Sequence, residues 1–594
     1  MRGDLEYMSI PRLVRTAAAR YAGREAVVEG RTRIGYEQLG ARVERAAAGC
    51  LAAGVRAGDR VAVWAPNTLD WIVAALGAVT AGAVLVPVNT RLKGAEAVEM
   101  LERTRARLLF VTGTFLGTSY VASLRSAAGR AAGATGVPVR PESGDSRGLS
   151  AVPGQSEGPR GPSASPGPVG AVPGAGAGGP LPGLPHLREV VVLADDAPAE
   201  FRTWKEFLDA GDAVPAWAVR ARANAVGPDA PSDIMFTSGT TGEPKGVVVT
   251  HAQTLRAFGI WSDLAGLRRG DRYLIVNPFS HSFGYKAGVI ACLMRGATMV
   301  PQAVFAVDTV LANVAAERIS VLTGPPTLHQ SLLDHPARSA HDLSPLRLVV
   351  TGAAVVDRRL VERLRDELGV ATVLTAYGMS EATGVVTMCR RGDPAEVVAA
   401  TSGRAVPDTE LRVVGADGAP LPPGESGEIL VRGFQVMSGY FEDPEATARA
   451  VDAEGWLHTG DIGVLDAEGC LRITDRVKDM FVVGGFNVHP AEVERVLVRH
   501  PGVAEAAVVG VPDGRLGEVG RAFVVRRRGA EAVSADELIA WVRREVANYK
   551  VPRAVEFVPE LPRNASGKVV KHALRQNGGT ADERWREQRR GQRR

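Results

Sequence analysis

The chain has 594 residues, of which 45% are hydrophobic and 23% charged. This composition excludes a disordered protein, and the length predicts one large domain with at least one smaller one. The net charge is 70 − 66 = +4, and six arginines against three acids in the last fourteen residues supply +3 of it. Because nucleic-acid-binding proteins carry their basic excess on a folded domain, we expect no nucleic-acid partner.

Cysteine usage and hydropathy point to the cytoplasm. Cys50, Cys292, Cys389 and Cys470 lie far apart, without the spacing of a metal site. Four thiols in so long a chain, with no apolar run typical of a signal peptide near the start, predict a reducing compartment. The longest apolar stretch, residues 71–88, is interrupted by glycines and a proline. We therefore expect a buried helix and strand there, and no membrane span.

The pattern along the chain predicts an α/β domain with an insertion. Residues 13–127 alternate helical periods with β-branched runs such as RVAVWAP and AVLVPV. Between residues 151 and 186, 19 of 36 residues are glycine or proline. Such a segment cannot bury enough apolar surface to offset its ordering entropy, so residues 128–187 are predicted to be a disordered insertion. The α/β pattern resumes at REVVVLADD.

The last folded block has a different pattern. VVGVPD and RAFVVRR are predicted strands and DELIAWVRREV a helix, which together predict a small α+β domain. We assign residues 1–477 to the large domain, 478–576 to the small one and 577–594 to a basic tail.

The run TSGTTGEPKG, residues 237–246, is the most informative motif. It lies between two apolar strands, DIMF and VVVT, and Thr250 is placed to cap the following helix. Glycines, hydroxyls and a lysine in a tight loop form a cradle for phosphate oxygens. The Walker spacing does not fit, because Gly246 follows Lys245 and a strand follows the loop. The predicted phosphate-binding residues are Thr237, Ser238, Gly239, Thr240, Thr241, Gly242 and Lys245.

This loop resembles the phosphate loop of the adenylate-forming superfamily, which includes acyl-CoA synthetases, luciferases and amino-acid adenylation domains. Six further signatures follow in that superfamily's order: TGAA, AYGMSE, GWLHTGD, ITDRVKD, GGFNVHPAEVE and PRNASGK. The resemblance covers nearly the whole chain except the insertion and the tail. It implies a large domain of layered β-sheets and helices with a smaller, mobile C-terminal domain, and an activity in which ATP activates a carboxylic acid.

Several motif side chains suit a nucleotide. Tyr377 offers a ring face to a purine, and Asp461 has acceptor oxygens for two ribose hydroxyls. Glu381 suits Mg²⁺, which takes one or two carboxylates together with substrate phosphates. The resemblance extends this site to Gly352, Ala353, Ala354, Ala376, Gly378, Ser380 and, as a second candidate at the ribose, Arg476. Ser380 stands where threonine is usual and keeps the hydroxyl.

The resemblance also gives roles to the C-terminal block. Lys568 would reach into the active site and bridge the substrate carboxylate and ATP, an electrostatic role. Lys478 would be the hinge about which the small domain turns between half-reactions. The face containing Gly484, Gly485 and Phe486 would then meet coenzyme A. Taken alone, Lys568 would be a solvated lysine and Lys478 an ordinary polar linker residue.

The acid site is expected around NPFSHSFGYKAG. His281 matches the histidine or aromatic residue beside the carboxylate in many CoA ligases. Residues 277–288 lack the aspartate with which amino-acid adenylation domains hold an ammonium, and no carrier-protein segment follows, so an amino acid is disfavoured. Lys286 is either a donor to a substrate ketone or a solvated or salt-bridged helix residue. Besides His281, the residues expected along the acyl pocket are Thr323, Gly352, Gly378 and Gly384.

A narrower resemblance concerns the substrate. The segments NPFSHSFGYKAG, LTAYGMSEATGVVTMCR, ITDRVKDMFVVGGFNVHPAEVE and VPDGRLGEVGRAFVV are similar to actinobacterial CoA ligases of steroid catabolism. That implies a bicyclic indanedione propanoate as the acid, although the insertion and His489 depart from the pattern. Alternatives are a fatty-acid or aryl-acid CoA ligase and an adenylase that loads a carrier protein. A non-catalytic nucleotide-binding relative is disfavoured by intact Glu381, Asp461 and Lys568. The partners predicted are a carboxylic acid, ATP, Mg²⁺ and coenzyme A.

Overall fold

The computed structural model describes the chain with gaps. The described residues are 2–134, 181–237, 244–352, 356–415, 417–476, 479, 481–483, 486–488, 490–513, 516–546, 548–563 and 569–576. The predicted basic tail lies outside them.

The strands are short, and most carry β-branched residues. In chain order they are β1 (Glu25–Glu29), β2 (Thr32–Gly35), β3 (Arg60–Trp64), β4 (Val84–Pro87), β5 (Leu108–Val111), β6 (Thr114–Phe115), β7 (Thr118–Ser119), β8 (Glu189–Val192), β9 (Arg202–Thr203), β10 (Pro231–Thr237), β11 (Lys245–Thr250), β12 (Arg272–Ile275), β13 (Thr298–Pro301), β14 (Val321–Gly324), β15 (Leu348–Gly352), β16 (Thr372–Tyr377), β17 (Thr387–Met388), β18 (Arg404–Ala405), β19 (Thr409–Val414), β20 (Ser426–Gly433), β21 (Gly439–Tyr440), β22 (Leu457–Leu465), β23 (Leu471–Arg476), β24 (Phe481–Val483), β25 (Phe486–Val488), β26 (Val503–Asp513), β27 (Gly517–Arg526) and β28 (Ala554–Phe557).

The helices alternate with the strands through most of the chain. They are α1 (Gly3–Tyr7), α2 (Ile10–Arg20), α3 (Tyr36–Ala52), α4 (Leu69–Thr80), α5 (Gly94–Arg103), α6 (Tyr120–Ala134), α7 (Trp204–Gly211), α8 (Ala216–Ala225), α9 (His251–Ala265), α10 (Ser282–Gly284), α11 (Ala291–Arg295), α12 (Val307–Ala316), α13 (Pro326–Leu333), α14 (Arg358–Asp366), α15 (Ala395–Ala400), α16 (Pro444–Ala450), α17 (Pro490–Val498), α18 (Ala535–Arg543) and α19 (Lys571–Gln576). A π-helix, Tyr285–Ile290, lies between α10 and α11, and 3₁₀ turns cover Arg338–Ala340, Ser380–Ala382 and Asn548–Lys550.

Two large sheets form the N-terminal part. The nine-stranded sheet has the order β18-β17-β16-β15-β14-β12-β13-β1-β2, and the eight-stranded sheet has the order β21-β11-β10-β4-β3-β5-β8-β9. Parallel pairing runs from β16 through β15, β14, β12 and β13 to β1 in the first sheet, and from β10 through β4, β3, β5 and β8 to β9 in the second. These parallel runs confirm the α/β fold that the alternating pattern predicts.

The layering follows from side-chain alternation along the strands. On β3, Val61 and Val63 join a core shared with the nine-stranded sheet, whereas Ala62 and Trp64 join a second core on the opposite face. Successive side chains of a strand point to opposite faces, so both faces of this sheet are covered. Buried residues of α3 and α4 belong to the shared core. Layered sheets and helices are therefore confirmed.

Two smaller sheets follow in the chain. An antiparallel sheet has the order β19-β20-β22-β23, and the C-terminal sheet has the order β25-β24-β27-β26 with β28 beside β27. The predicted strands VVGVPD and RAFVVRR fall in β26 and β27. The predicted helix is α18, where Ser534 Oγ caps the helix by accepting from the Glu537 N–H at 3.2 Å. The small α+β block is thus present.

The apolar stretch at residues 71–88 folds as the sequence predicts. α4 is buried almost throughout and leads into the fully buried β4. Among the described residues, no helix is both long enough and apolar enough to cross a membrane.

The two ends of the predicted insertion are folded, which corrects its boundaries. α6 extends to Ala134, and its Ala128 is fully buried. At the other end, Leu184 and Leu187 are each 2% exposed and pack in the same core as Ala128. Isolated apolar side chains among glycines and prolines give no periodic signal, so composition alone misses them. Residues 135–180 lie outside the described residues.

Deletion of residues 151–180 is expected to leave the melting temperature and the activity close to wild type. The reason is that loop closure changes by only about 0.6 kcal/mol for each doubling of loop length. Deletion of residues 151–186 also removes Leu184 and should lower the melting temperature clearly, because a lost buried leucine costs about 2–5 kcal/mol. Thermal unfolding of both variants tests this. A large fall in the melting temperature or the activity of the shorter deletion variant would show that the removed segment docks on the enzyme.

Candidate functional site

The predicted phosphate loop connects two strands that pair with each other. β10 and β11 are antiparallel, with Thr237 opposite Lys245, and Thr237 Oγ1 donates to the Lys245 carbonyl at 3.4 Å. Thr250 caps α9 as predicted, since its Oγ1 accepts from the Gln253 N–H at 3.2 Å. The described flanks thus hold the loop between two paired strands. Ser238, Gly239, Thr240, Thr241 and Gly242 lie outside the described residues.

The carboxyl ends of β15 and β16 form a second part of the site. Gly352 is paired with Ala376, and a Cβ at Gly352 would lie only 2.7 Å from the Ala376 carbonyl oxygen. Position 352 therefore accommodates only glycine, and no side chain covers the backbone there. In α/β folds, ligands bind at the carboxyl ends of parallel strands. Ala353 and Ala354, which follow Gly352, lie outside the described residues.

Tyr377 and Asp461 meet although they are 84 residues apart. Tyr377 Oη donates to Asp461 Oδ2 at 2.6 Å, a short hydrogen bond of the kind that a charged acceptor forms. Asp461 lies on β22, is 5% exposed, and is paired in register with Arg476 of β23. The structure therefore joins the predicted purine and ribose contacts directly. Only the backbone of Arg476 is described.

Glu381 lies in the 3₁₀ turn just after β16, beside a tyrosine that none of the predicted motifs includes. Tyr440 Oη donates to Glu381 Oε1 at 3.0 Å, and Lys245 Nζ lies 4.8 Å from the centroid of the Tyr440 ring. Burial, followed by the charge of Glu381, raises the pKa of Tyr440 well above its ordinary value, so its hydroxyl keeps its proton. The sequence signal here is weak, a glycine directly before the tyrosine.

Two glycines shape the Glu381 turn and let it pack against residues 277–288, which we call the acid-side segment. A Cβ at Gly378 would lie 2.2 Å from the Gly384 carbonyl oxygen. Gly384 has a φ of +100°, and a Cβ there would lie 2.8 Å from Ser282 Cβ. A larger residue at Gly384 would push the turn away from Ser282, whereas one at Gly378 would push apart the two ends of the turn itself. The structure thus brings the turn containing Ser380 and Glu381 next to the residue that follows His281.

The acid-side segment is anchored to β14. Asn277 Nδ2 donates to Thr323 Oγ1 at 2.8 Å, and Tyr273 Oη shares a 2.8 Å hydrogen bond with the same hydroxyl. His281 is exposed, and its Nδ1 accepts from the Phe283 N–H at 3.2 Å at the start of α10. A neutral imidazole in this arrangement carries its proton on Nε2. Thr323 is fully buried beneath this segment.

Lys286 is buried in the π-helix that follows, and the solvated interpretation of it is wrong. Its Nζ lies 3.0 Å from Asp233 Oδ1, and the two side chains are 2% and 1% exposed. Burial lowers the pKa of Lys286, and the Asp233 charge opposes that shift. The salt-bridged interpretation is confirmed. π-helices are rare and are frequent near functional sites.

The predicted contributions of the C-terminal block are described only in part. Phe486 begins β25, with its backbone paired to Val483. The residues Lys478, Gly484, Gly485 and Lys568 lie outside the described residues. Their approach to the nucleotide and to coenzyme A stays a prediction.

Comparison with protein families identifies the family of this chain. Residues 14–441 match the AMP-binding enzyme family, and residues 492–568 match the AMP-binding enzyme C-terminal domain. The chain belongs to the AMP-binding enzyme family. The described site residues from Thr237 to Tyr440 lie in the first range, whereas Asp461, Arg476 and Phe486 lie between the two ranges. Identification as an adenylate-forming enzyme of the acyl-CoA synthetase type is confirmed.

Curated relatives and the solved structures of other proteins resemble this AMP-binding enzyme over nearly its whole length. A 3-(7a-methyl-1,5-dioxo-octahydro-1H-inden-4-yl)propanoyl:CoA ligase of Rhodococcus jostii (strain RHA1) is 47% identical over 95% of this chain and 98% of the relative. A ligase of the same name from Mycobacterium tuberculosis is 49% identical over 90% of this chain and 92% of the relative. The crystal structure of the anthranilate CoA ligase AuaEII with anthranoyl-AMP has a TM-score of 0.78 at 25% identity, covering 97% of this chain and 98% of that one.

Proposed function

We propose that this enzyme is an ATP-dependent acid–CoA ligase whose acid is the bicyclic indanedione propanoate. The observation that carries the substrate is the identity of 47% with a ligase named for that acid, over 98% of the relative's length. Such coverage includes the phosphate loop, the acid-side segment and the C-terminal block. The proposed location is the cytoplasm, supported by four buried cysteines that are all free.

In the first half-reaction, a carboxylate oxygen of the acid attacks the α-phosphorus of ATP. The bond between the α-phosphorus and the bridging oxygen breaks, and pyrophosphate leaves with an acyl-adenylate remaining. The loop between Thr237 and Lys245 would hold the phosphates through backbone N–H groups. Lys568 would hold the carboxylate near the α-phosphate and offset the charge that develops in the transition state.

The contact between Tyr377 and Asp461 supports one continuous nucleotide site. In the proposal, the Tyr377 ring faces the purine while Asp461 accepts from the ribose hydroxyls. The 2.6 Å hydrogen bond between them fixes both side chains before the nucleotide arrives.

The residues present fit Mg²⁺ bound together with ATP. Among the described residues, no group of three or more His, Cys, Asp or Glu side chains could hold a metal on its own. A single carboxylate such as Glu381 suits an ion that takes its other ligands from phosphates and water. Glu381 would hold the ion, which when bound neutralises phosphate charge.

In the second half-reaction, the thiolate sulfur of coenzyme A attacks the acyl carbonyl carbon, and AMP leaves with the electron pair of the broken C–O bond. The C-terminal block would first turn about Lys478 so that Gly484, Gly485 and Phe486 face the acyl-adenylate. His281 would lie beside the carboxyl group in both halves.

A panel of carboxylic acids, assayed for CoA-dependent AMP release, tests this function. We expect kcat/KM for the indanedione propanoate to exceed that of straight-chain acids of similar size. The basis is that buried ketone oxygens need donors, and an unpaired buried polar group costs about 1–3 kcal/mol, or roughly 5- to 150-fold. A preference for straight chains would instead support a fatty-acid ligase, and AMP release only with a carrier protein would support a loading adenylase.

A further inference from the structure

Tyr440 occupies a position between the phosphate loop and the Glu381 turn. Its strand, β21, pairs with β11, so that Tyr440 lies opposite Val247 just after the loop. The Phe441 N–H donates to the Gly246 carbonyl at 2.7 Å. The Tyr440 N–H donates to Thr447 Oγ1 at 2.9 Å. The backbone of this residue is therefore held from both sides.

The segment before Tyr440 is also bound to the Glu381 turn. The Met437 N–H donates to the Glu381 carbonyl at 2.8 Å, and Thr383 Oγ1 donates to the Gln435 carbonyl at 2.6 Å. With the Tyr440 hydroxyl on Glu381 Oε1 at 3.0 Å, both the backbone and the carboxylate of Glu381 are tied to one segment. Residues 435–440 therefore connect β11, the strand that follows the phosphate loop, with the Glu381 carboxylate.

We propose that Tyr440 is a positioning residue that orients the Glu381 carboxylate for Mg²⁺·ATP and holds Lys245 at the end of the phosphate loop. The hydroxyl fixes the rotation of the carboxylate, and the ring face holds the lysine ammonium by a cation–π contact at 4.8 Å. Tyr440 makes no bond to substrate in this role. The inference rests on the nucleotide site of the proposed function and not on the identity of the acid.

Isothermal titration calorimetry with two probes, Mg²⁺·ATP and ATP in EDTA, separates the two contacts. For Tyr440→Phe, which keeps the ring, we expect Kd for Mg²⁺·ATP to rise roughly tenfold, the effect of losing one hydrogen bond to a charged group. Kd for metal-free ATP should stay unchanged. For Tyr440→Leu, both Kd values should rise. In turnover assays, additional Mg²⁺ should restore the rate of Tyr440→Phe.

Tyr36→Phe is the matched control. Tyr36 Oη lies 2.6 Å from the Ala297 carbonyl in the core, so this variant also loses a buried tyrosine hydrogen bond but should bind both probes as wild type does. Equal changes of both Kd values in Tyr440→Phe would overturn the proposal, as would no change in either. The calorimetry uses no acid, so a failed acid panel with the expected Kd pattern would count against the proposed substrate alone.

Discussion

Acyl-adenylate formation is expected to fall by roughly 10²-fold or more in Lys568→Ala, the usual scale for removing a charge stabiliser. The substrate carboxylate and the α-phosphate are both anions, and a lysine ammonium between them lowers their repulsion as they approach. Pyrophosphate release in the presence of acid and ATP, without CoA, measures this half-reaction. Thioester formation started from synthetic acyl-adenylate and CoA should be nearly unchanged.

A neighbouring lysine provides the control for this experiment. Lys571 Nζ lies 2.9 Å from Glu494 Oε1, and both side chains are 14% exposed, so it serves the packing of the C-terminal block. Lys571→Ala should lower the melting temperature slightly while pyrophosphate release stays near wild type. Equal losses in both half-reactions of Lys568→Ala would refute the division of labour between them.

Local signals in the sequence were sufficient for much of the fold. The cap at Thr250 and the strands on each side of the phosphate loop follow from residue types a few positions apart. The buried run of α4 and β4 follows from composition and from the turn-forming Gly82, which has a φ of +83°. Such features depend on neighbours along the chain, which is why a single sequence is enough to predict them.

Contacts between segments that are distant along the chain cannot be predicted from such local signals. The hydrogen bond from Tyr440 to Glu381 depends on the pairing of β21 with β11, whose residues are almost 200 positions apart along the chain. The burial of Leu184 likewise depends on a core formed by other segments. Neither has a periodic pattern, and no motif marks them.

The ion pair between Lys286 and Asp233 is a further contact that the sequence left open. Asp233 lies on β10, four residues before Thr237, and Lys286 lies five residues after His281. Its 3.0 Å contact therefore joins the strand that enters the phosphate loop to the acid-side segment. Ser232 Oγ adds a 2.7 Å hydrogen bond to Asp233 Oδ2. A buried charge needs such partners, since desolvation otherwise penalises its charged form.

Lys286→Met is expected to lower the free energy of unfolding by about 3–5 kcal/mol, because it leaves the Asp233 carboxylate buried without its cation. Asp233→Asn should be similarly destabilising, since it leaves the lysine ammonium unpaired. The double variant, Lys286→Met with Asp233→Asn, should recover most of the loss because neither charge remains. Denaturant unfolding of the three variants measures these differences.

The same double variant decides whether Lys286 contacts the substrate. The Lys286 ammonium is already paired, and its side chain is only 2% exposed. We therefore expect the ratio of kcat/KM for the indanedione propanoate to that for straight-chain acids to stay near the wild-type value. If Lys286 donated to a substrate ketone, that ratio would fall by roughly 5- to 150-fold, because the ketone oxygen would be buried without a donor. A fall of that size would place Lys286 in the acyl pocket and would leave the assignment of the protein as a CoA ligase intact.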